Sequence, residues 1–259
     1  MMNKCSTSKK LITDRFSKAQ TTYNANALAQ KEVAVRLSEI ISEAVASSRY
    51  SPRSMLEIGC GTGLLTRILL ERYMFKTVHL NDISDVFVPC FSDLNEQYDY
   101  NFYVKDAEEI VLNRKYDLIV SSSVFQWFEN MPSFMEKIRQ HLSPDGIFAF
   151  STFGPQNMRE VKELTGTGLD YLSKDEWIEL LSVHFQLLQA EENSIQLQLN
   201  SPKDVLKHLK QTGVNAFKNQ TAIWTPAKMR QFETQYQNLF SVDEKVRLTY
   251  HPLYFLVGL

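Results

Sequence analysis

The chain has 259 residues, 44% of them hydrophobic, and a formal net charge of −2 at pH 7. These values are typical of a globular protein with one large domain or a domain with additions, and the balanced charge argues against a nucleic-acid-binding protein defined by overall basicity. No apolar run reaches about 18 residues, and the N-terminal residues lack the apolar stretch of a signal peptide. Its three scattered cysteines suit a reducing cytoplasm and have neither a disulfide framework nor a metal-ligand spacing. We therefore expect a cytoplasmic protein without a membrane span or a metal.

The N-terminal part predicts one long helix. Residues 1–20 are polar and basic, and their far end is expected to fray. From Tyr23 to Ala46 the apolar residues recur at helical intervals, and Ser51-Pro52 ends the pattern. We expect residues 1–50 to form a helical segment over the active site and residues 51–259 to form the main domain.

A glycine-rich turn follows the first predicted strand, Ser54–Ile58. Gly59, Gly61 and Gly63 alternate along the turn, and a helix is predicted at Leu64–Arg72. Glycines let a ligand approach the backbone, and the start of the helix presents free N–H groups to a polar or anionic group. The third glycine of a dinucleotide fingerprint would fall at residue 64, which is leucine, so a dehydrogenase is disfavoured.

Strands and helices then alternate, which predicts right-handed crossovers and a parallel sheet covered on both faces. Ligands of such sheets bind beyond the carboxyl ends of the strands. The predicted elements are strands Thr77–Leu80, Phe102–Val104, Tyr116–Ser121 and Ile147–Thr152, helix Pro132–His141 and a tight turn at Ser143–Gly146.

Acidic and polar residues stand at these strand ends. Asp82 lies 23 residues beyond Gly59, at the end of the second strand, where a carboxylate can accept hydrogen bonds from both hydroxyls of a ribose. Asp106 follows the third strand. Each acid alone is equally well explained as a helix N-cap, but their order after the glycine turn favours a cofactor site.

The part after the fifth strand has a different pattern. We expect an interrupted final strand, because Pro252 lacks the N–H group of a ladder and so marks a bulge or an edge. The expected elements are a helix at Lys174–His184, a strand or bent hairpin at Phe185–Leu199, helices at Ser201–Gln211 and Thr225–Leu239 joined through Gly213-Val214-Asn215, and a last strand at Val246–Leu259.

The motifs Glu57–Gly63, Asp82–Ser84 and Asp106–Glu108 resemble those of class I S-adenosylmethionine-dependent methyltransferases. Downstream motifs resemble more narrowly the malonyl-acyl carrier protein O-methyltransferases of biotin synthesis, over nearly the whole chain. Those motifs are Phe153-Gly154-Pro155, Leu209–Asn215, Trp224-Thr225 and Leu248–Phe255. The resemblance implies an α/β Rossmann-like fold: a seven-stranded, mostly parallel sheet with helices on both faces and a helical insertion, residues 201–240, before the last strand.

The same resemblance implies S-adenosylmethionine as methyl donor, with S-adenosylhomocysteine as product. Cys60, inside the glycine turn, is interpreted as a small loop residue and not as a nucleophile. The cofactor-binding residues implied are Glu57, Gly59, Cys60, Gly61, Gly63, Asp82, Ile83, Asp106, Ala107, Ser122 and Gln126.

The implied substrate is a malonyl thioester on acyl carrier protein, methylated on its free carboxylate. Tyr23 and Arg159 are candidates for positioning it, and His251 is interpreted as structural. A basic patch is a candidate docking surface for the acidic carrier; it comprises Lys203, Lys207, Lys210 and Lys218. The alternatives are a methyltransferase for malonyl-coenzyme A or another small acid, and a cofactor-binding protein without turnover.

Overall fold

The computed structural model describes residues 9–48, 51–213 and 225–259. The chain forms two compact units. The large-sheet unit comprises Gln30–Thr152, Ser173–Glu192 and Leu253–Leu259, and the small-sheet unit comprises Met1–Ala29, Phe153–Leu172 and Asn193–Pro252. Among the described helices none is both long and apolar enough to cross a membrane.

Eight α-helices, three short 3-10 helices and ten strands occur in the described residues. The helices are α1 (Lys9–Asn26), α2 (Leu28–Ser48), α3 (Leu64–Arg72), α4 (Met131–His141), α5 (Arg159–Thr165), α6 (Lys174–Ser182), α7 (Pro202–Gln211) and α8 (Pro226–Phe240). The strands are β1 (Ser54–Ile58), β2 (Thr77–Asp82), β3 (Asp99–Val104), β4 (Tyr116–Ser122), β5 (Leu142–Phe153), β6 (Gln186–Glu192), β7 (Ile195–Leu199), β8 (Ser241–Val242), β9 (Lys245–Tyr250) and β10 (Pro252–Gly258).

The large-sheet unit is built on seven strands in the order β3-β2-β1-β4-β5-β10-β6. Strand β1 pairs in parallel with β2 and β4, and the pairs β2–β3 and β4–β5 are also parallel. The pair β6–β10 is antiparallel. The predicted seven-stranded, mostly parallel sheet is therefore confirmed, and the parallel order places the ends of β1 to β4 along one edge.

Local sequence explains the helices next to this edge. Helix α3 begins after Gly63 and buries Leu65 and Leu69, which lie one turn apart. In α4 the side chain of Asn130 accepts a hydrogen bond from the N–H of Ser133, at 3.3 Å, and so caps the helix. The Asn130 cap therefore marks the start of α4, whereas α3 starts at the last glycine of the turn, without a side-chain cap.

The small-sheet unit contains the three-stranded sheet β7-β9-β8 with α1, α5, α7 and α8. Helix α7 packs its apolar face inward, and its buried His208 lies with Nε2 2.9 Å from the Tyr250 hydroxyl. Helix α1 contacts α7, and the hydroxyl of Thr22 donates to the carbonyl of Gln211 at 3.1 Å. This second sheet is absent from the sequence predictions.

The single N-terminal helix predicted from Tyr23 to Ala46 is wrong. The structure has two helices, α1 and α2, separated at Ala27, and the first begins at Lys9. Residues of α1 that are weakly apolar in sequence gain a helical conformation because Ile12 and Ala19 are buried. Tertiary burial therefore overrides weak local periodicity here.

Two predictions in the C-terminal part are also wrong. The segment Phe185–Leu199 is not a hairpin, because β6 pairs with β10 whereas β7 pairs with β9 in the other sheet. The final strand is likewise two strands, β9 in the small sheet and β10 in the large one, with His251 between them in the chain. Pro252 opens β10, a position where its missing N–H group removes no bond from the middle of a ladder.

The turn predicted at Ser143–Gly146 lies inside β5, which starts earlier than expected. Pairing with β4 passes from Tyr116 opposite Leu142 to Leu118 opposite Ile147, so the turn residues are an irregular insertion in the strand. The junction predicted at Gly213-Val214-Asn215 falls largely outside the described residues, since only Gly213 is described.

Candidate functional site

The three glycines after β1 all have positive φ angles, of 68°, 52° and 88° for Gly59, Gly61 and Gly63. A Cβ atom on Gly59 would collide with the side chain of Val124, and one on Gly63 would lie 2.7 Å from Cε1 of Phe91. No heavy atom lies within 4 Å of a Cβ placed on Gly61. The turn thus needs glycine for its backbone and leaves open space beside Gly61.

Strand β2 holds the glycine turn through its last residues. The N–H of Cys60 donates to the Asn81 carbonyl at 2.9 Å, and the N–H of Gly61 donates to Oδ2 of Asp82 at 3.0 Å. The other carboxylate oxygen of Asp82 accepts from the N–H of Ser84 at 3.0 Å. Because a carboxylate offers about four acceptor positions, Asp82 is oriented by these bonds and still able to accept from a ligand.

Two carboxyl groups are buried under the turn. Glu57 accepts a hydrogen bond from the Thr66 hydroxyl at 2.6 Å. Burial raises the pKa of Glu57 to about 8, with a further contribution from the charge of Asp82, and burial raises the pKa of Asp82 to about 6. Burial also raises the pKa of the Cys60 thiol, which keeps it protonated and unreactive.

The end of β3 joins the same group. The N–H of Lys105 donates to the Asp82 carbonyl at 3.0 Å. Asp106 caps the short helix Ala107–Glu109, with Oδ1 accepting from the Glu108 N–H at 3.0 Å. The N-cap alternative for Asp106 is therefore realised, and it leaves acceptor capacity on the same carboxylate. Ala107 is buried, whereas Ile83 beside Asp82 is 37% exposed.

Glu108 is an organising residue that the sequence did not reveal. Its carboxylate accepts from the N–H groups of Glu129 and Asn130, at 3.0 and 2.6 Å. The ammonium group of Lys137 donates to the Glu108 carbonyl at 2.6 Å. These bonds tie the loop after β3 to α4. The sequence shows only that an acidic residue stands in this loop, which is too weak a signal to predict the bonds.

Hydroxyl and amide groups arrange the end of β4. The Ser121 hydroxyl donates to the Ile58 carbonyl at 2.9 Å, and the Ser122 hydroxyl lies 3.1 Å from that of Ser151. Gln126 donates through Nε2 to the Ser123 carbonyl at 2.7 Å and accepts through Oε1 from the Thr152 hydroxyl at 3.4 Å. Gln126 therefore links the ends of β4 and β5.

These contacts bring all eleven predicted cofactor residues into the large-sheet unit, at the carboxyl ends of β1 to β4. The edge offers an oriented carboxylate at Asp82, an exposed apolar side chain at Ile83 and open space beside Gly61. That combination fits a nucleoside with hydroxyl donors, a flat apolar base and a chain that lies against the glycine turn.

The predicted substrate-side residues lie in the small-sheet unit. The Tyr23 ring is 6.4 Å from that of Phe16. Arg159 donates through Nη1 to Gln156 at 3.3 Å, and its Nε lies 3.7 Å from Oε1 of the fully buried Glu160. Of the basic patch, the three exposed members lie on α7, namely Lys203, Lys207 and Lys210. Lys218 falls outside the described residues.

His251 has a structural environment in the same unit. Its Nδ1 accepts from the N–H of Gln156 at 3.3 Å, and its carbonyl accepts from the N–H of Gly154 at 2.8 Å. Its own N–H donates to Oδ1 of Asn157 at 3.3 Å. The histidine thus holds the segment that follows β5. No cluster of three or more possible metal ligands occurs in the described parts of the chain.

Comparison with known proteins places these features in context. Residues 29–193 match the family model described as a methyltransferase domain. A malonyl-[acyl-carrier protein] O-methyltransferase of Bacteroides thetaiotaomicron is 38% identical over 96% of this chain and 97% of its own length. The enzyme of the same name from Haemophilus influenzae is 35% identical, over 97% and 95%.

Solved structures share the fold at low identity. An S-adenosylmethionine-dependent methyltransferase of Clostridium acetobutylicum has a TM-score of 0.53 at 13% identity, over 86% of this chain and 90% of that one. The YcgJ protein of Bacillus subtilis has a TM-score of 0.56 at 15% identity, over 84% and 97%.

Proposed function

This chain belongs to the malonyl-[acyl-carrier protein] O-methyltransferase family, and from that premise we propose that it methylates the free carboxylate of a malonyl group carried on acyl carrier protein. It is an S-adenosylmethionine-dependent methyltransferase. The likeness to the curated enzymes over nearly the full chain carries the proposal. Methylation would remove the charge of the malonyl carboxylate, so that the ester resembles an ordinary fatty-acid primer. This step would start pimeloyl and biotin synthesis. We place the reaction in the cytoplasm.

The residues at the sheet edge would hold the methyl donor. Asp82 would accept from the ribose hydroxyls, with Ile83 against the adenine and Asp106-Ala107 near its amino group. Gly59, Gly61 and Gly63 would admit the amino-acid end to the backbone. Glu57 and Cys60 have buried side chains and would support the turn or act through their backbone. Ser122 and Gln126 are half-buried and would border the cofactor at the end of β4.

The reaction asks little acid–base chemistry of the protein. S-adenosylmethionine supplies a methyl group on a sulfonium cation. A carboxyl group with a pKa near 4 is already an anion at neutral pH, so no general base is required. Because opposite charges diminish toward the transition state, the chain contributes by excluding water and by aligning the carboxylate with the methyl group.

Substrate positioning favours a light contact. A bidentate arginine would bind the malonyl carboxylate tightly and stabilise the ground state more than a transition state of lower charge. Arg159 lies beside the carboxylate of Glu160 and the neutral amide oxygen of Gln156, which weakens its attraction for a second anion. Tyr23 would then supply the main hydrogen bond.

Tyr23→Phe should lower kcat/KM for the malonyl substrate about tenfold without changing cofactor affinity; unchanged methylation kinetics would remove Tyr23 from the mechanism.

The carrier protein would dock on a surface that we call the basic ridge. It consists of Lys203, Lys207 and Lys210 on α7 with Lys10 and Lys18 on α1, all exposed. The three lysines of α7 follow a helical spacing that puts them on one face, and α1 packs directly against α7. A positive ridge would steer an acidic carrier protein and speed its encounter.

Two alternative functions predict different outcomes in a methylation assay. One is a methyltransferase for malonyl-coenzyme A or another small acid, and the other is a cofactor-binding protein without turnover. The decisive experiment is mass spectrometry of malonyl-acyl carrier protein after incubation with the protein and S-adenosylmethionine. Acetyl-acyl carrier protein and malonyl-coenzyme A are the comparison substrates. A gain of one methyl group on the malonyl carrier alone supports the proposal, and no gain there contradicts it.

A further inference from the structure

Arg247, on β9 of the small sheet, carries a guanidinium group with unused hydrogen-bond donors. Its Nε atom is buried and has no hydrogen-bond partner among the described residues. Oε1 of Glu160 lies 3.6 Å from that atom, which is an ion-pair distance and too long for a hydrogen bond. The side chain as a whole is 31% exposed, so a solute can reach it. A charged group that is half enclosed and so weakly bonded requires an explanation.

A single carboxylate faces two arginines at this point. Oε1 of Glu160 also lies 3.7 Å from Nε of Arg159, and the Glu160 side chain has no exposed surface. Both oxygens of the carboxylate already accept shorter bonds from Thr249, whose hydroxyl and N–H lie 2.5 and 3.1 Å away. One negative charge therefore stands against two positive charges, and the cluster keeps a surplus positive charge.

Aromatic residues of α8 hold Arg247 in place. Its Cζ atom lies 5.7 Å from the centre of the Phe240 ring, a distance typical of a cation–π contact. The Tyr236 hydroxyl donates to the Arg247 carbonyl at 2.9 Å. Helices α5 and α8 both pack on β9 and against each other. The guanidinium group is thus oriented before a ligand arrives, which lowers the ordering cost of binding.

We propose that Arg247, assisted by Arg159, binds the phosphate ester at the end of the pantetheine arm that carries the malonyl thioester. Guanidinium groups match phosphate oxygens in geometry and charge. Since Nε of Arg247 is enclosed, its outer Nη1 and Nη2 atoms make the contact. A phosphodiester also carries one negative charge, which balances the surplus charge of the cluster. The inference rests on the proposed function, because a malonyl carrier supplies the arm.

The small-sheet unit brings this site and the basic ridge together. Helix α7, which carries three lysines of the ridge, packs against α8, and α8 contacts Arg247. The phosphate lies at the carrier end of a pantetheine arm, whereas the malonyl group lies at the far end. An acyl carrier protein bound to the ridge would therefore present its phosphate to the same unit that binds the carrier.

Isothermal titration calorimetry with 4′-phosphopantetheine and pantetheine tests the site without turnover, because these ligands differ only in the phosphate. The wild type should bind 4′-phosphopantetheine at least about tenfold more tightly, the effect of one hydrogen bond between charged groups. Arg247→Gln should abolish this preference. Arg230→Gln, at an exposed arginine of α8, is the matched control and should retain it.

A second variant covers a loss of stability in Arg247→Gln. Arg247→Lys keeps a positive charge beside Glu160 but lacks the planar fork, so it should fold and bind 4′-phosphopantetheine several-fold more weakly than the wild type. Equal affinity of the wild type for the two ligands would overturn the proposal. So would a full preference for the phosphate in both Arg247 variants.

Methylation assays identify the source of the phosphate, since malonyl-coenzyme A has the same arm. A KM of Arg247→Gln raised for malonyl-acyl carrier protein identifies the carrier, and one raised for malonyl-coenzyme A alone identifies the coenzyme. An equal rise for malonyl-pantetheine, which has no phosphate, would contradict the site. A phosphate preference in binding, together with no methylation of the malonyl carrier, would retain the site and overturn the proposed function instead.

Discussion

Glu57 shows how burial changes one side chain at the foot of the cofactor site. It is 2% exposed, receives one hydrogen bond from Thr66, and lies near the second buried carboxyl group, Asp82. With its pKa raised to about 8, Glu57 is mostly protonated at neutral pH. The folded protein therefore holds a proton there that the unfolded chain has already released.

This proton makes stability depend on pH. Because the pKa of Glu57 is raised by folding, from 4.5 to about 8, its contribution is present at low pH and is lost as the pH rises between these values. The slope is roughly 1.4 kcal/mol per pH unit at most. Glu57→Gln keeps an acceptor for Thr66 but lacks the titration. We expect the free energy of unfolding of Glu57→Gln, relative to that of the wild type, to increase from pH 5 to about 8 and to stay constant above that.

Urea unfolding at a series of pH values measures this difference. Glu71→Gln, at an exposed position of α3, is the matched control and should follow the wild type throughout. A constant difference between Glu57→Gln and the wild type across the range would show that Glu57 is not protonated in the folded protein.

At the residue scale, the sequence predicted which residues form the site but not which hydrogen bonds their side chains make. The spacing from Gly59 to Asp82 located the turn and the acid that now share a hydrogen bond. It could not show that the Ser122 hydroxyl has a partner in Ser151, whereas the Ser123 hydroxyl has none among the residues that the structure describes. Pairing depends on what stands opposite in space, and adjacent serines are identical in the sequence.

At the scale of elements, α5 and β9 are joined by one buried acid. Glu160 of α5 accepts from the N–H of Thr249 at 3.1 Å and from its hydroxyl at 2.5 Å. Two guanidinium groups flank the same carboxylate, with Nε of Arg247 and of Arg159 at 3.6 and 3.7 Å. A buried charge with such partners is tolerated, but the loss of one partner leaves it poorly satisfied.

Thr249→Val should therefore destabilise the protein by about 1–3 kcal/mol, because the shape is kept while the hydroxyl donor is lost. Urea unfolding measures the change. Glu163→Gln, on an exposed turn of the same helix, should change stability by less than about 0.5 kcal/mol. In the double variant Glu160→Gln/Thr249→Val the two effects should not add, since both substitutions act on the bond from the Thr249 hydroxyl to Glu160; simple additivity would contradict the assigned contact.

Helices and strands were predictable where a crossover helix connects two neighbouring parallel strands. Strand β1 and helix α3 have the predicted bounds, because turn residues and apolar periods both mark their ends. The segments around β6, β7, β9 and β10 were misjudged since alternating residues predict a strand without naming its partner. Two consecutive strands can belong to two sheets, and sequence periodicity is the same in either case.

At the scale of the whole molecule, the small net charge is the sum of two units that carry opposite net charges. The small-sheet unit has 15 basic and 8 acidic residues, and the large-sheet unit has 13 basic and 22 acidic residues. Their net charges are thus +7 and −9, and they nearly cancel in the net charge of −2 for the whole chain. An acidic partner should be attracted to one unit and repelled by the other.

This division predicts a salt-dependent reaction. The KM for malonyl-acyl carrier protein should rise several-fold between about 0.05 and 0.2 M salt, since screening shortens the reach of surface charges. Lys207→Glu on the basic ridge should raise the KM at low salt and flatten the response. Lys76→Glu, at an exposed position of the large-sheet unit, is the control and should do neither. A KM that does not change with salt would rule out electrostatic docking.

Strand β10 lies between β5 and β6 in the sheet, although it is made after both. On the ribosome, β6 is complete at Glu192 and β10 begins at Pro252, about sixty residues later. At synthesis rates of about 5–20 residues per second, the nascent chain waits roughly 3–12 seconds with two unpaired strand edges. Such edges invite pairing with other chains, so the yield of native protein should depend on how well chaperones cover that interval.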